Sequence, residues 1–250
     1  MQLTDKQVQE FHEEGYLIFE NLIHGEKLKA YQELFDDLVE QSLTLPVDGP
    51  HWSFEFGEDH KPIPGFLHKI QGVCVVEPKV LDLAQEAEIL DRVQTLVGPD
   101  IDVFGTKFFP KLPNGGTSVH WHQDNYYFGT NTDRIVSCGI YLQDADRENG
   151  CLRVVPKSHL SQEIVEHHRR QGAHGSWTEV DESKALDVEV PGGTVVFFSS
   201  NLLHGTYENR SNRPRYSTAW HYIPADLPLE RFPRGGYEDR HIVRENYGEL

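Results

Sequence analysis

Apolar residues recur at helical spacing near the start of the chain and at strand spacing beyond residue 100. Thr4-Asp5-Lys6-Gln7 has the form of a capping box, Val8 and Phe11 share the face behind it, and Gly15 supplies a stop, which predicts a first helix. Tyr16-Leu17-Ile18-Phe19 reads as a short strand. Leu28, Tyr31, Leu34, Phe35 and Leu38 make an apolar stripe that predicts a second helix over 26–43, and a third is expected over 80–97. The intervening stretch 46–64 is rich in Pro, Gly, His and aromatics. It is expected to be a long loop (44–68 at its widest), with His51, Trp52, Phe54 and Phe56 placed to close over a pocket.

From Ile101 onward, short β-like runs alternate with turn residues. Strands are expected at 103–110, 135–143, 185–190, 194–199 and 216–222, separated by turns at 113–116, 148–150 and 191–193 that carry glycines. Residues 159–183 read as a polar, exposed insertion with a short helix, which would leave His167, His168 and His174 in solvent. No repeat or linker divides the chain. The expected class is mainly β with flanking helices (α+β), as one domain over 1–250, with helices in 1–100 packed on a β core at 101–225.

Composition narrows the partners. A formal charge of −17 argues against nucleic acid and against an anionic membrane surface. No apolar run reaches bilayer length, and the N-terminus shows neither a basic leader nor an apolar signal core. Three cysteines at unrelated spacings suggest reduced core residues in a cytoplasmic protein rather than a disulfide framework. A small-molecule substrate is therefore expected, and no feature specifies an oligomeric state. An acidic co-substrate would approach against the overall field, so local basic groups must outweigh it at the site.

The chemistry-bearing residues are His122-Gln123-Asp124, His204 downstream, and Arg215 eleven residues later. In extended backbone, residues two apart share a face, so His122 and Asp124 can reach one metal while Gln123 points away. Two imidazoles and a carboxylate that leave other positions open form the ligand set of non-heme Fe(II) oxygenases, although Mn, Co or Zn accept the same donors. His120 keeps a second reading open: a cupin-type metalloenzyme that uses His120, His122 and His204 without an organic co-substrate. A jelly-roll binding module without activity is the non-enzymatic alternative.

Trp121-His122-Gln123-Asp124, the block from Glu148-Asn149-Gly150 to Pro156-Lys157-Ser158-His159, His204-Gly205-Thr206 and Arg213-Pro214-Arg215 together resemble the phytanoyl-CoA dioxygenase family. The likeness extends from the opening helix to the tail Tyr237-Glu238-Asp239-Arg240-His241. It implies a double-stranded β-helix (jelly-roll, cupin-like) and an Fe(II)- and 2-oxoglutarate-dependent dioxygenase that consumes O2 and releases succinate and CO2. It further implies that His122, Asp124 and His204 hold iron and that Arg215 pairs with the distal carboxylate of 2-oxoglutarate, a task suited to the guanidinium fork. Thr206 and Lys107 are the further candidates for contact with 2-oxoglutarate. Relatives that halogenate lack the carboxylate, so Asp124 favours hydroxylation. Tyr126, Phe128, Phe198 and Trp220 are the expected substrate contacts, and His159 is expected to stabilise a turn.

Overall fold

Strand and helix periodicities meet across one sheet in the computed structural model, which describes residues 1–169 and 174–245. Helix α1 (Asp5–Glu14) opens on the expected capping box, with the Thr4 hydroxyl accepting from the Gln7 amide, and Gly15 ends it in the left-handed region at φ 91°. Strand β1 (Tyr16–Phe19) and helix α2 (Gly25–Ser42) follow as the pattern predicts. Helices α3 (Val73–Val76), α4 (Val80–Ala84) and α5 (Ala87–Val97) come next. The single helix expected over 80–97 is thus broken at Gln85-Glu86. The Glu86 carboxylate accepts from Tyr31 Oη at 2.8 Å and Lys27 Nζ at 2.6 Å, which ties the break to α2.

The long loop expected at 46–64 is instead mostly a hairpin, β2 (Trp52–Phe56) and β3 (Pro62–Gln71). Its alternation of Trp52 and Phe54 with Ser53 and Glu55 is a strand pattern that the flanking Pro and Gly obscure. Trp52 packs against the main core and Phe54 is buried, so these two rings are structural. His51 is fixed by its Nδ1 to the Gln71 carbonyl.

Beyond residue 100 lie β4 (Ile101–Lys111), β5 (Val119–His122), the short helix α6 (Asp124–Phe128), β6 (Val136–Tyr141), β7 (Leu152–Val154), β8 (His168–Arg169), β9 (Ser176–Trp177), β10 (Leu186–Val188), β11 (Thr194–Ser199), β12 (His204–Thr206), β13 (Arg215–Pro224) and β14 (Arg240–Arg244). The major sheet runs β1-β11-β6-β13-β4-β3-β2, with β14 also paired to β4, and the minor sheet runs β10-β7-β12-β5. The two antiparallel sheets make the expected double-stranded β-helix. The expected boundary is corrected at both ends, because three strands from the first 100 residues and one beyond 225 join the major sheet. The insertion 159–183 holds a 3-10 turn at Ser158–Ser161 and the β8-β9 ribbon; its residues 170–173 lie outside the described residues.

One face of the major sheet packs on the helices. Phe35, Leu38, Leu83, Ile89 and Val93 from the helices share a core with Ile70, Phe108, Ile140, Phe197, Trp220 and Tyr222 from the strands. Alternation then fixes the other face. On β13, Tyr216, Trp220 and Tyr222 face the helices, which leaves Arg215, Ser217 and His221 to face the interior between the sheets. On β4 a bulge at Gly105 does the same work. Its φ of 61° is costly for other residues, and an added Cβ would meet His221 Cδ2 at 3.2 Å. The register shift between Ala219 and His221 marks this bulge, and beyond it Lys107, Phe109 and Lys111 point inward.

Candidate metal centre and its basic interior

His122 ends β5 and His204 begins β12, and the two are cross-strand partners with ring centroids 4.2 Å apart. Gln123 is extended (φ −113°, ψ 133°), so Asp124, at the start of α6, returns to the same side as His122. Gln123 itself turns into the protein. Its Nε2 donates to the Glu163 carbonyl at 3.0 Å and the Asn201 carbonyl at 2.8 Å, which anchors the segment. Asp124 therefore sits two residues past the end of β5, with the alternation intact.

Each imidazole has its Nδ1 committed to a carbonyl: His122 to His120 O at 2.8 Å and His204 to Leu202 O at 2.9 Å. With Nδ1 donating, Nε2 is left as a lone-pair donor, the arrangement that orients metal-binding histidines. His122 Nε2 lies 3.6 Å from Asp124 Oδ1 and His204 Nε2 lies 3.7 Å from Asp124 Oδ2. These gaps are too long for hydrogen bonds. Ligand bonds of about 2.0–2.2 Å would require donors roughly 3 Å apart, so a small inward adjustment makes the set close on one ion. Burial, with His122 beside it, pushes His204 down to about 4, so it is neutral and able to ligate. Burial opposes the charge on Asp124, yet His221, His204 and His122 hold its carboxyl well below the usual carboxylate range.

Behind Asp124 runs a directed chain of hydrogen bonds. Lys107 Nζ donates to His221 Nε2 at 3.1 Å, His221 Nδ1 to Ser137 Oγ at 3.0 Å, and Ser137 Oγ to Asp124 Oδ2 at 2.7 Å. The chain fixes the carboxylate and holds His221 in one tautomer. Lys107 thus reaches the site, although its direct contact is His221.

Arg215 is 1% exposed. It donates to Ser217 Oγ and sits 5.7 Å from the Tyr141 ring, while its Nε has no hydrogen-bond partner. No carboxylate of the described residues lies within 4.0 Å of it. Burial pushes it down only to about 10, so it stays cationic. A buried, unpaired guanidinium is costly by several kcal/mol unless a ligand supplies the carboxylate. The hydroxyl beside it is that of Ser217. Thr206 Oγ1 instead accepts from the Val119 amide at 2.9 Å.

The expected substrate aromatics divide. Phe198 meets the His204 ring at 4.7 Å, and Phe128 packs between Phe104 and His221 behind the site. Tyr126 stacks on His167 at 4.1 Å, whereas its neighbour Tyr127 meets His122 at 5.7 Å. Trp220 does not belong to the site: it lies in the helix-side core, its Nε1 donating to Tyr222 Oη at 3.1 Å, because strand parity turns it away. The reading through His120 fails as well, since that side chain is exposed and outside the His122-Asp124-His204 group. His159 bonds the His12 carbonyl, so it ties its 3-10 turn to helix α1 instead of bracing the turn from within. His167 and His174 are not simple surface residues: His167 Nε2 accepts from the Gln123 amide at 3.0 Å, and His174 is stacked in a cluster near the β2-β3 hairpin. Ser137, His221, Ser217, Lys69 and Lys111 were missed from sequence. Only the parity of their strands could have pointed to them.

That cluster offers a second set of metal-type donors, Glu55, His68 and His174. Both oxygens of its carboxylate, however, are already engaged. His68 Nδ1 is 3.0 Å from Glu55 Oε1, Thr117 donates to both Glu55 oxygens, and His174 Nε2 meets the Phe54 carbonyl at 3.1 Å. The two rings stack at 3.6 Å and 7°, so their in-plane lone pairs run side by side instead of converging.

A divalent metal and an organic acid bound side by side in a double-stranded β-helix define the Fe(II)- and 2-oxoglutarate-dependent dioxygenases, and the donor set and the unpaired Arg215 fit that class. The profile of the phytanoyl-CoA dioxygenase (PhyH) family matches residues 11–217, and the chain belongs to that family. It is 27% identical over 244 residues to a probable phytanoyl-CoA dioxygenase of Caenorhabditis elegans, a match covering 90% of this chain and 77% of that protein. It is 28% identical over 240 residues to the human peroxisomal phytanoyl-CoA dioxygenase, covering 90% and 69%. Among solved structures, EctD from S. alaskensis with 2-oxoglutarate and 5-hydroxyectoine superposes with a TM-score of 0.72 at 20% identity, covering 91% of this chain and 78% of that one.

Proposed function

We propose that the chain, acting as one catalytic domain, hydroxylates a small molecule with Fe(II), 2-oxoglutarate and O2, releasing succinate and CO2. The observation that carries this reading is the convergence of His122, Asp124 and His204, each imidazole having only its Nδ1 engaged, in the same interior as an arginine that has no carboxylate. When bound, the iron and its co-substrate supply the oxidising chemistry. The protein's share is placement. The two Nδ1–carbonyl bonds aim the imidazoles, and the Lys107-His221-Ser137 chain aims Asp124. Arg215, steadied by Ser217, takes the far carboxylate of 2-oxoglutarate. Phe198 and Tyr127 flank the histidines with apolar surface that keeps water from the reacting centre. Retention of Asp124 supports hydroxylation over halogenation. Three buried, unpaired cysteines support a reducing compartment such as the cytoplasm, and no helix among the described residues is long and apolar enough to cross a membrane.

Anaerobic loading with Fe(II), then addition of 2-oxoglutarate and air, should give iron-dependent succinate formation that Asp124→Ala abolishes. Iron binding without any 2-oxoglutarate decarboxylation would instead favour a binding module.

A further inference from the structure

We propose that Ser137 is a positioning residue that keeps one oxygen of Asp124 off the metal, held to that task by His221 and Lys107, so that the ion keeps a third open position. The inference rests on the metal reading of His122, Asp124 and His204 given above. It gives Lys107 a task other than the contact with 2-oxoglutarate expected of it.

The placement of the carboxylate does not by itself choose between its oxygens. Asp124 Oδ1 lies 3.6 Å from His122 Nε2, and Oδ2 lies 3.7 Å from His204 Nε2, so each faces one ligand at nearly the same distance. Carboxylates bind metals through one oxygen or through both. Here the number matters. In octahedral coordination three protein atoms leave three open positions, and four leave two. A chelating 2-oxo acid fills two, so a second Asp124 oxygen on the ion would leave no position for O2.

The two oxygens differ in one respect: Oδ2 accepts from Ser137 Oγ at 2.7 Å. Register places Ser137 opposite His221 on β13 and Phe198 on β11. Its hydroxyl also meets His221 Nδ1 at 3.0 Å and Ser200 Oγ at 2.8 Å, and all three side chains are buried. A hydroxyl has one proton to give, so an accepting Nδ1 would compete with Asp124 for it. Lys107 biases that choice. An ammonium carries donors and no acceptor, and Lys107 Nζ lies 3.1 Å from His221 Nε2. Nε2 therefore accepts, Nδ1 carries the ring proton and donates to Ser137, and Ser137 donates to Oδ2. Phe104 and Phe128 wall the imidazole with apolar rings at 5.4 and 4.6 Å. Burial pushes Lys107 down, and Asp124 and Asp239 oppose that shift.

The test counts exchangeable waters on Mn(II)-loaded protein by water-proton relaxation, without co-substrate; Mn(II) accepts the same donors. Wild type should hold three waters. Ser137→Ala should hold two, a relaxation enhancement lower by about one third, because Oδ2 joins the ion. Ser200→Ala removes an equal hydroxyl from the same buried network but leaves the bond to Oδ2, so it should keep three. Lys107→Met should fall between wild type and Ser137→Ala. Adding it to Ser137→Ala should change nothing further, since both act on one bond. Saturating 2-oxoglutarate should leave one water in wild type and none in Ser137→Ala. A wild type with two waters, a Ser137→Ala with three, the same loss in Ser200→Ala, an unaltered Lys107→Met, or a double variant below Ser137→Ala alone would overturn the proposal. A wild type that binds no Mn(II) would sink the parent reading as well, whereas tight Mn(II) binding with an unchanged count would sink only the Ser137 proposal.

Discussion

Two groups of one carboxylate and two histidines lie in this barrel, and they behave oppositely. Glu55 has both oxygens engaged by His68 and Thr117, and the rings of His68 and His174 lie stacked instead of converging on one point. His122, Asp124 and His204 spend their Nδ1 atoms on the backbone and keep Nε2 and a carboxylate oxygen facing a shared centre. Composition is the same; what differs is where the hydrogen bonds go. A metal site is a cluster whose ligating atoms stay open while the atoms behind them are held by hydrogen bonds.

The largest contrast should come from removing a ligand. Asp124→Ala or His204→Ala should reduce bound iron to near zero and cut turnover by well over roughly 10²-fold, beyond the 10–100-fold typical of supporting groups. Glu55→Ala should leave iron stoichiometry intact while lowering stability by about 2–3 kcal/mol, since Thr117 and His68 lose a buried acceptor. Metal analysis and chemical denaturation of both variants check this pair.

Next is Arg215. Arg215→Met should keep iron but raise the 2-oxoglutarate KM by roughly 30-fold or more, the cost of about 2–5 kcal/mol for truncating one side of a buried charge pair. An unchanged KM would assign the anchor elsewhere. Ser137→Ala removes the bond to Asp124 Oδ2 and should weaken iron binding by about 10-fold or more, measured by competition with a chelator.

The smallest effect belongs to pH. Burial, then His68, pushes His174 down from 6.5 to about 4. The unfolded chain therefore takes up the proton first, so stability should fall as pH drops from about 6.5 toward 4 and should be flat above that window. His174→Phe, which keeps a ring against Phe56 and His68, should flatten part of that fall.

The ligand set was legible in sequence because it sits in contiguous or strongly patterned segments: an H-x-D triplet, and a histidine just beyond an apolar strand. The capping box of α1 and the strand over 194–199 were legible for the same reason, local chemistry matched to local structure. What escaped was decided across strands. Trp220 and His221 are neighbours on β13, and only the pairing with β4 and β6 shows that the histidine faces inward and the tryptophan does not. The hairpin at 52–71 was hidden because its strand alternation is interrupted by Pro and Gly and completed by a partner, β4, thirty-odd residues away. Lys107 reached the site through a glycine bulge whose presence no single-strand pattern announces.

The most direct test of the central claim is an oxygen-free titration of 2-oxoglutarate into Fe(II)-loaded protein, followed through the visible charge-transfer band. The account predicts saturation at one equivalent in wild type, a weakened curve in Arg215→Met and no band in Asp124→Ala. A wild-type band in Asp124→Ala, or one unaffected by Arg215→Met, would contradict it.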